Sequence, residues 1–158
     1  MENNFLSAFE RLIVSQKKIV IIPHRNPDGD ALGSALALKH FLDAKKHEVK
    51  IVSPNDYPSF LKWLPGESEI IKFSKTPNIA REKINNAEII FGLDFNSLSR
   101  IQDLSEIVKK TRAEKIMIDH HESPEFFANL NYSDPSMSST CEMVYNVINA
   151  SDSKLLNK

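Results

Sequence analysis

Residues 21–38 read IIPHRNPDGDALGSALAL. With Lys18–Val20 before it, the opening forms KIVII, a short apolar run rich in β-branched residues. A run of that length, closed by a proline and a polar loop, predicts a buried strand. From Asp30 to about Ala44, Leu32, Ala35, Leu36, Leu38 and Leu42 supply the inner face of a helix. Strand, loop and helix follow one another without a break, and between them stand His24, Asp28 and Asp30, three groups that bind metals well. Gly29 is expected to let the backbone turn so that both aspartates face one site, and Gly33 to let helix pack closely on strand. The glycine spacing is neither the Gly-x-Gly-x-x-Gly of a dinucleotide loop nor a P-loop, which also needs Gly-Lys-Ser/Thr.

The same alternation continues along the chain. Phe5, Leu6, Phe9, Leu12 and Ile13 predict a first helix, with Asn3 or Asn4 as its cap. EVKIV (48–52) predicts a second strand. Residues 53–68 hold three prolines and read as loop, with a helical turn over 60–63. EIIKF (69–73) is a further strand, 78–86 a helix opened by Thr76-Pro77, and EIIFGLD (88–94) a buried strand. A helix follows from Leu98 or Ile101 to Arg112, then the strand KIMID (115–119) and the weak strand NLNYS (129–133). The last helix runs from Ser139 to about Ala150, opened by the capping-box pattern Ser139-x-x-Glu142. Strands alternating with helices imply an α/β fold, a doubly wound and mainly parallel sheet flanked by helices.

In such sheets ligands bind beyond the carboxyl ends of the strands. There the first strand delivers His24, Asp28 and Asp30, EIIFGLD delivers Asp94, KIMID delivers Asp119, His120 and His121, and NLNYS delivers Asp134. Taken singly, each has an ordinary explanation. An aspartate between strand and helix commonly caps the helix, which would cover Asp30 or Asp94. Asp134-Pro-Ser is a turn signal, and His24 alone would be a satisfied polar group. His40 and His47 stand on a helix face and in a polar loop and belong to no site. What the separate explanations leave open is why these residues share one rim with few lysines or arginines. Clustered carboxylates repel unless positive charge sits among them. Two divalent cations would neutralise them, and mixed Asp/His ligation without thiolate suits manganese, with zinc, iron, cobalt and magnesium as alternatives. Two ions roughly 3.5–4 Å apart can activate a water for attack on phosphorus.

Composition sets the limits. The chain has 158 residues, 41% hydrophobic and 26% charged, which is one globular domain with a real core. A net charge of -1 gives no attraction to duplex DNA or to a membrane surface. No apolar run reaches the roughly 18 residues of a membrane span. The single cysteine, Cys141, has no partner for an internal disulfide and is read as structural; a cytoplasmic setting follows from that usage.

HRNPDGDALGS (24–34), the strand-terminal Asp94, DHH (119–121) and DPSMSSTCE (134–142) together resemble, in content and order, the four motifs of the DHH phosphoesterases. Within that superfamily the chain looks most like the DHH/DHHA1 nano-RNase and pAp phosphatase group. The resemblance implies a manganese-dependent phosphoesterase. Its substrates would be short oligoribonucleotides, 3'-phosphoadenosine 5'-phosphate (pAp) or related cyclic dinucleotides. It also implies roles. His24, Asp28 and Asp94 would hold one ion, and Asp30, Asp94, His120 and Asp134 the other, with Asp94 shared. His121 would contact the scissile phosphate, Asp119 would orient a ligand histidine, and Arg25 and Arg100 would contact phosphate. Ser138, Ser139 and Glu142 are read as a helix cap, at a helix N-terminus that could also receive phosphate. Members of this group carry a second, DHHA1 domain with a glycine- and histidine-rich substrate motif. Residues 1–150 are therefore expected to be the catalytic DHH domain and 151–158 the start of a linker, the whole an N-terminal fragment that keeps metal binding with weakened substrate binding, a reduced homologue being the alternative. An inorganic pyrophosphatase or polyphosphatase of the same superfamily is the alternative enzyme. A nucleotide-binding module without turnover is the alternative of another class. Oligomeric state stays open, a homodimer included.

Overall fold

A computed structural model describes residues 3–157. Six parallel strands form one sheet in the order β3-β2-β1-β4-β5-β6. They are β1 (Lys18–Pro23), β2 (Glu48–Ser53), β3 (Ile71–Lys72), β4 (Ile89–Leu93), β5 (Glu114–Asp119) and β6 (Leu130–Ser133). The strand order reverses between β1 and β4, so the crevice that receives ligands in doubly wound sheets opens between their carboxyl ends.

Strands buried on both faces read as unbroken apolar runs, and their alternate residues serve two cores. Ile19 and Ile21 of β1 join Ile89, Phe91 and Leu93 of β4 beneath α1 (Asn3–Leu12), α2 (Gly29–Ala44) and α5 (Thr140–Asp152). Val20 and Ile22 join Ile90 on the other face, beneath α3 (Pro77–Asn85) and α4 (Ser105–Lys110). α2 is buried over most of its circumference because α5 packs on the side that the sheet leaves open.

Several local expectations change. β3 keeps only two residues of the expected 69–73 strand, because a turn at left-handed Gly66 leads into a 3-10 helix over Glu67–Glu69. The expected helix over 98–112 becomes a 3-10 segment over Leu98–Leu104, itself kinked where Gln102 takes φ 43° and ψ -110°, followed by the short α4. Gly33 packs helix on helix rather than helix on strand: a β-carbon there would lie 3.0 Å from Cys141 Sγ of α5. Gly29 needs neither left-handed backbone nor space, since a β-carbon would meet nothing within 4 Å. The left-handed residue of that loop is Asn26, with φ 53°. Asn3 and Asn4 both lie inside α1, so neither is its cap, and the position before Asn3 is outside the described residues. Residues 151–152 continue α5 and 153–157 form a 3-10 helix whose Leu155 and Leu156 pack on the core.

Candidate metal centre

The rim residues reach one place because the parallel ladder is carried past the strand ends. Asp94 N donates to the carbonyl of Ile118, and Asp134 N to that of Asp119. Arg25 N donates to the Arg100 carbonyl at 2.8 Å, tying the loops after β1 and β4 together. Asp94 itself sits in the left-handed region, φ 64°, where β4 turns back and the Phe95 ring covers Gly92. Aspartate tolerates that conformation better than most residues.

Asp94 is the centre of the site. Its carboxylate is 2% exposed, and its two oxygens face different partners. Oδ2 lies 3.5 Å from His24 Nε2, and Oδ1 lies 3.6 Å from His120 Nε2. Two sets of donor atoms converge on it: His24, Asp28 and Asp94, and Asp94, His120 and His121. Asp30 borders the second set, its Oδ2 3.8 Å from His120 Nε2.

The tautomers follow from the partners. His24 Nδ1 stands 2.7 Å from the carbonyl of Arg25 and His120 Nδ1 3.4 Å from that of Met137. A carbonyl only accepts, so Nδ1 carries a hydrogen, and in the neutral ring each Nε2 presents its lone pair to the carboxylates. That is the orientation of metal-binding histidines. His121 differs. Its Nδ1 donates to Asp119 Oδ1 at 2.7 Å and its backbone N–H to Asp119 Oδ2 at 3.0 Å. Nδ1 is the atom that lies 3.9 Å from Asp94, and a nitrogen that already donates to a carboxylate is closed as a ligand. Its Nε2 remains available to another group. Asp119, fully buried, enters neither donor set.

The aspartates also do the capping work considered as the ordinary explanation. Asp28, rather than Asp30, caps α2, with Oδ1 accepting from the N–H groups of Asp30 and Ala31. Asp30 reaches across to α5 and accepts from Thr140 N at 2.9 Å and Cys141 N at 2.7 Å. Ser139 Oγ accepts from Glu142 N, while the Glu142 carboxylate bonds Ser138 instead of closing the capping box on Ser139. The first-turn donors of α5 are thus filled from within the chain, so the expectation that this N-terminus receives phosphate is not met. Asp134 makes the turn its sequence suggests, Oδ1 accepting from Ser136 N and Oγ, and lies in neither donor set. Arg25 and Arg100 are exposed beside the crevice. Cys141 is pushed up to about 12, first by burial and then by Asp30, which fits a structural thiol.

Sequence reading missed Thr140. It is fully buried, and its Oγ1 donates to Asp94 Oδ1 at 2.8 Å. The only trace was its place in DPSMSSTCE, where a hydroxyl at the first helical position looks like one more cap.

Electrostatics set this cluster apart. Burial alone would raise the Asp94 carboxyl, yet the His24 and Thr140 bonds and the neighbouring imidazoles hold it below its ordinary value. Burial would lower His24, yet the Asp94 bond, the Arg25 carbonyl and the Asp94 and Asp28 charges lift it above 6.5. Elsewhere carboxylates pair with lysine, as in Lys17–Glu88, Lys39–Asp43 and Lys72–Glu67. Among the described residues, Asp28, Asp30, Asp94 and Asp119 have ion pairs with histidine alone. Lone pairs facing carboxylates require a cation or protons between them, and carboxylates with neutral imidazoles are a fitting donor set for a divalent ion.

Known proteins resemble this chain in sequence and in fold. Residues 18–158 match the DHH family, N-terminal domain. The bifunctional oligoribonuclease and PAP phosphatase NrnA of Thermus thermophilus is 34% identical over 130 residues, 82% of this chain and 36% of that protein. The cyclic-di-AMP phosphodiesterase PdeA of Listeria monocytogenes is 27% identical over 145 residues, 87% of this chain and 22% of that protein. The crystal structure of an exopolyphosphatase-related protein from Bacteroides fragilis superposes with a TM-score of 0.94 at 41% identity, covering 96% of this chain and 44% of that one. The chain therefore spans less than half the length of each. No helix among the described residues is long and apolar enough to cross a membrane.

Proposed function

This chain belongs to the DHH family, and from that premise we propose that it is the metal-holding domain of a phosphoesterase. Its substrates are short oligoribonucleotides, pAp or related cyclic dinucleotides. The observation that carries the reading is Asp94, buried and set between two imidazole Nε2 atoms, with no lysine or arginine among the described residues paired to it.

Asp94, His24 and Asp28 would hold one manganese ion, and Asp94 and His120 the other, with Asp30 at its edge and Asp134 supplied by the next strand. Bound there, the ions supply positive charge against phosphate oxygens and a water nucleophile at neutral pH. The chain's own groups do the remainder. Thr140 fixes the Asp94 carboxylate by donating to Oδ1, the oxygen that faces His120. Asp119 holds the ring of His121 so that Nε2 meets a phosphate oxygen. Arg25 and Arg100 flank the crevice and bind the charge of a phosphate that is not being cleaved.

The test is a manganese titration of the whole chain followed by electron paramagnetic resonance, beside hydrolysis of pAp, a ribodinucleotide, cyclic di-AMP and pyrophosphate. Two bound ions in the parent and none in Asp94→Ala support the reading. An Asp94→Ala variant that keeps both ions overturns it. Turnover of pyrophosphate alone would move the chain to the pyrophosphatases. Metal binding with no turnover of any substrate would leave a binding module in place of an enzyme.

A further inference from the structure

Beyond the crevice, the carboxyl edge of the sheet carries a basic and aromatic track that leads away from Asp94. It starts at Arg25 and Arg100, whose backbones are joined at 2.8 Å. Next comes Asn26, bonded to Asn55 in both directions: Asn26 N donates to Asn55 Oδ1 and Asn55 Nδ2 donates to Asn26 Oδ1. Asn55 leads to Asp56, on which two lysines converge, Lys75 from the end of β3 and Lys62 at 3.7 Å. One carboxylate against two ammonium groups leaves positive charge over.

Lys62 stands between two exposed rings. Phe60 is 70% and Trp63 is 76% exposed, while Leu61 between them is buried. The segment is a 3-10 turn over Ser59–Leu61, with Phe60 inside it, Lys62 closing it and Trp63 just past its end. Large rings left in water beside lysines, on a loop hydrogen-bonded to the site, match the pattern that holds single-stranded nucleic acid. There backbone phosphates follow the charge and bases stack on the rings.

We infer that Phe60 and Trp63 stack the bases of a single-stranded oligoribonucleotide whose end lies at the metal centre, with Lys62, Lys75 and Arg25 along its phosphates. The inference rests on the phosphoesterase reading and adds to it a preference for length. From β4 to β3 is three strand spacings, about 14 Å. Stacked nucleotides advance about 3.4 Å each, so the Lys75–Asp56–Lys62 cluster past the end of β3, with the rings that flank Lys62 in the chain, is reached by the fourth nucleotide or so. A mononucleotide or dinucleotide at the centre falls short.

Trp63 is the only tryptophan, which makes the stack directly observable. The whole chain is titrated in manganese with 5'-phosphorylated oligoadenylates of one to six nucleotides whose linkages are hydrolysis-resistant phosphorothioates, while tryptophan emission is followed. Expected is saturable quenching that strengthens at least fivefold between the dimer and the tetramer or pentamer and weakens as salt rises. In a second assay, polarisation of a labelled pentamer, Trp63→Ala and Lys62→Ala each weaken binding about five- to hundredfold, the range of one lost stack for the former. Both side chains lie outside the core, so folding is not at stake. Equal affinity from dimer to hexamer overturns the inference. So does a shift to a dimer in sedimentation that Trp63→Ala abolishes, which would give the patch to a second copy of the chain. Manganese binding at Asp94 is measured separately. Its persistence alongside a flat length series refutes the track alone, and its loss refutes the reading beneath it.

Discussion

Replacing Thr140 by valine removes one hydroxyl from a fully buried position and keeps the shape of the side chain. The hydroxyl donates at 2.8 Å to Asp94 Oδ1, itself buried. A hydrogen bond to a charged group contributes about 1.5–3 kcal/mol. The methyl that takes its place returns about 0.8 kcal/mol of burial. The net loss is about 1–2 kcal/mol, which for a chain of this length lowers the melting temperature by roughly 2–8 °C. Stability alone does not separate this from packing, because Thr140→Ser also costs about 1 kcal/mol through the lost methyl. Metal affinity does. Groups that orient a ligand typically carry about 10–100-fold in metal affinity. Valine is therefore expected to weaken manganese binding by about tenfold at the lower end of that range, while serine, which keeps the donor, stays near the parent. Isothermal titration of the three proteins decides it. Equal weakening in both variants, or none in either, refutes the claim that Thr140 holds Asp94 in place.

Adding manganese at a hundred times its dissociation constant should stabilise the chain by about 2.7 kcal/mol, roughly 5–11 °C in melting temperature; Asp94→Ala should show no such rise. Glu67 makes the acid prediction. Burial works to raise its carboxyl, but bonds from Lys72 and Tyr57 hold it below its ordinary 4.5. Its stabilisation is thus present above pH 4.5 and lost as pH falls through the lower folded value. Glu67→Gln should be less stable than the parent at pH 7, with a deficit that shrinks steadily as pH falls below 4.5 in urea titrations; a deficit that does not change below pH 4.5 contradicts the argument. Gly33→Ala sets helix propensity, a gain of about 1 kcal/mol, against the 3.0 Å approach to Cys141 Sγ. It should come out near neutral alone and more stable when combined with Cys141→Ala, and a double-mutant cycle with no coupling would rule the contact out. Gly92→Ala has no such relief, since its β-carbon would lie 2.7 Å from Phe95 Cζ. Overpacking of that kind costs about 1–3 kcal/mol, readable as a lower urea midpoint.

The fold was legible because its strands are buried on both faces: KIVII and EIIFGLD announce themselves as continuous apolar runs. Parallel pairing then forces their polar ends to one edge, which is why Asp94, Asp119 and the histidines could be gathered from sequence alone. What escaped was decided by tertiary contact. Gln102 has no residue-type signal for left-handed backbone, so a helix over 98–112 was the natural expectation and a kink was found. Gly33 looked like a helix-to-strand contact because its real neighbour, Cys141, is 108 positions along the chain. Thr140 and the cross-helix bonds of Asp30 depend on where α5 lands, which no local pattern encodes.

The contest between capping and ligation at these aspartates rests on a false choice. A carboxylate has two oxygens and about four lone-pair sites, and a hydrogen bond to one of them fixes the direction of the rest. Asp28 gives Oδ1 to two amides of α2. Asp30 takes two amides of α5, Asp134 takes Ser136, and Asp94 takes Thr140. Each side chain is thereby held in one orientation before any ion arrives, so less side-chain freedom is lost on binding. The same bonds stabilise negative charge that the lysines, paired elsewhere, do not neutralise. A capping aspartate at a strand end is then the expected form of a preorganised ligand, and the discriminating sign is the partner on the other side. Where that partner is lysine, as for Asp43 and Asp56, the group is structural; where it is an imidazole with its Nε2 lone pair turned inward, as for Asp94, the arrangement calls for a metal.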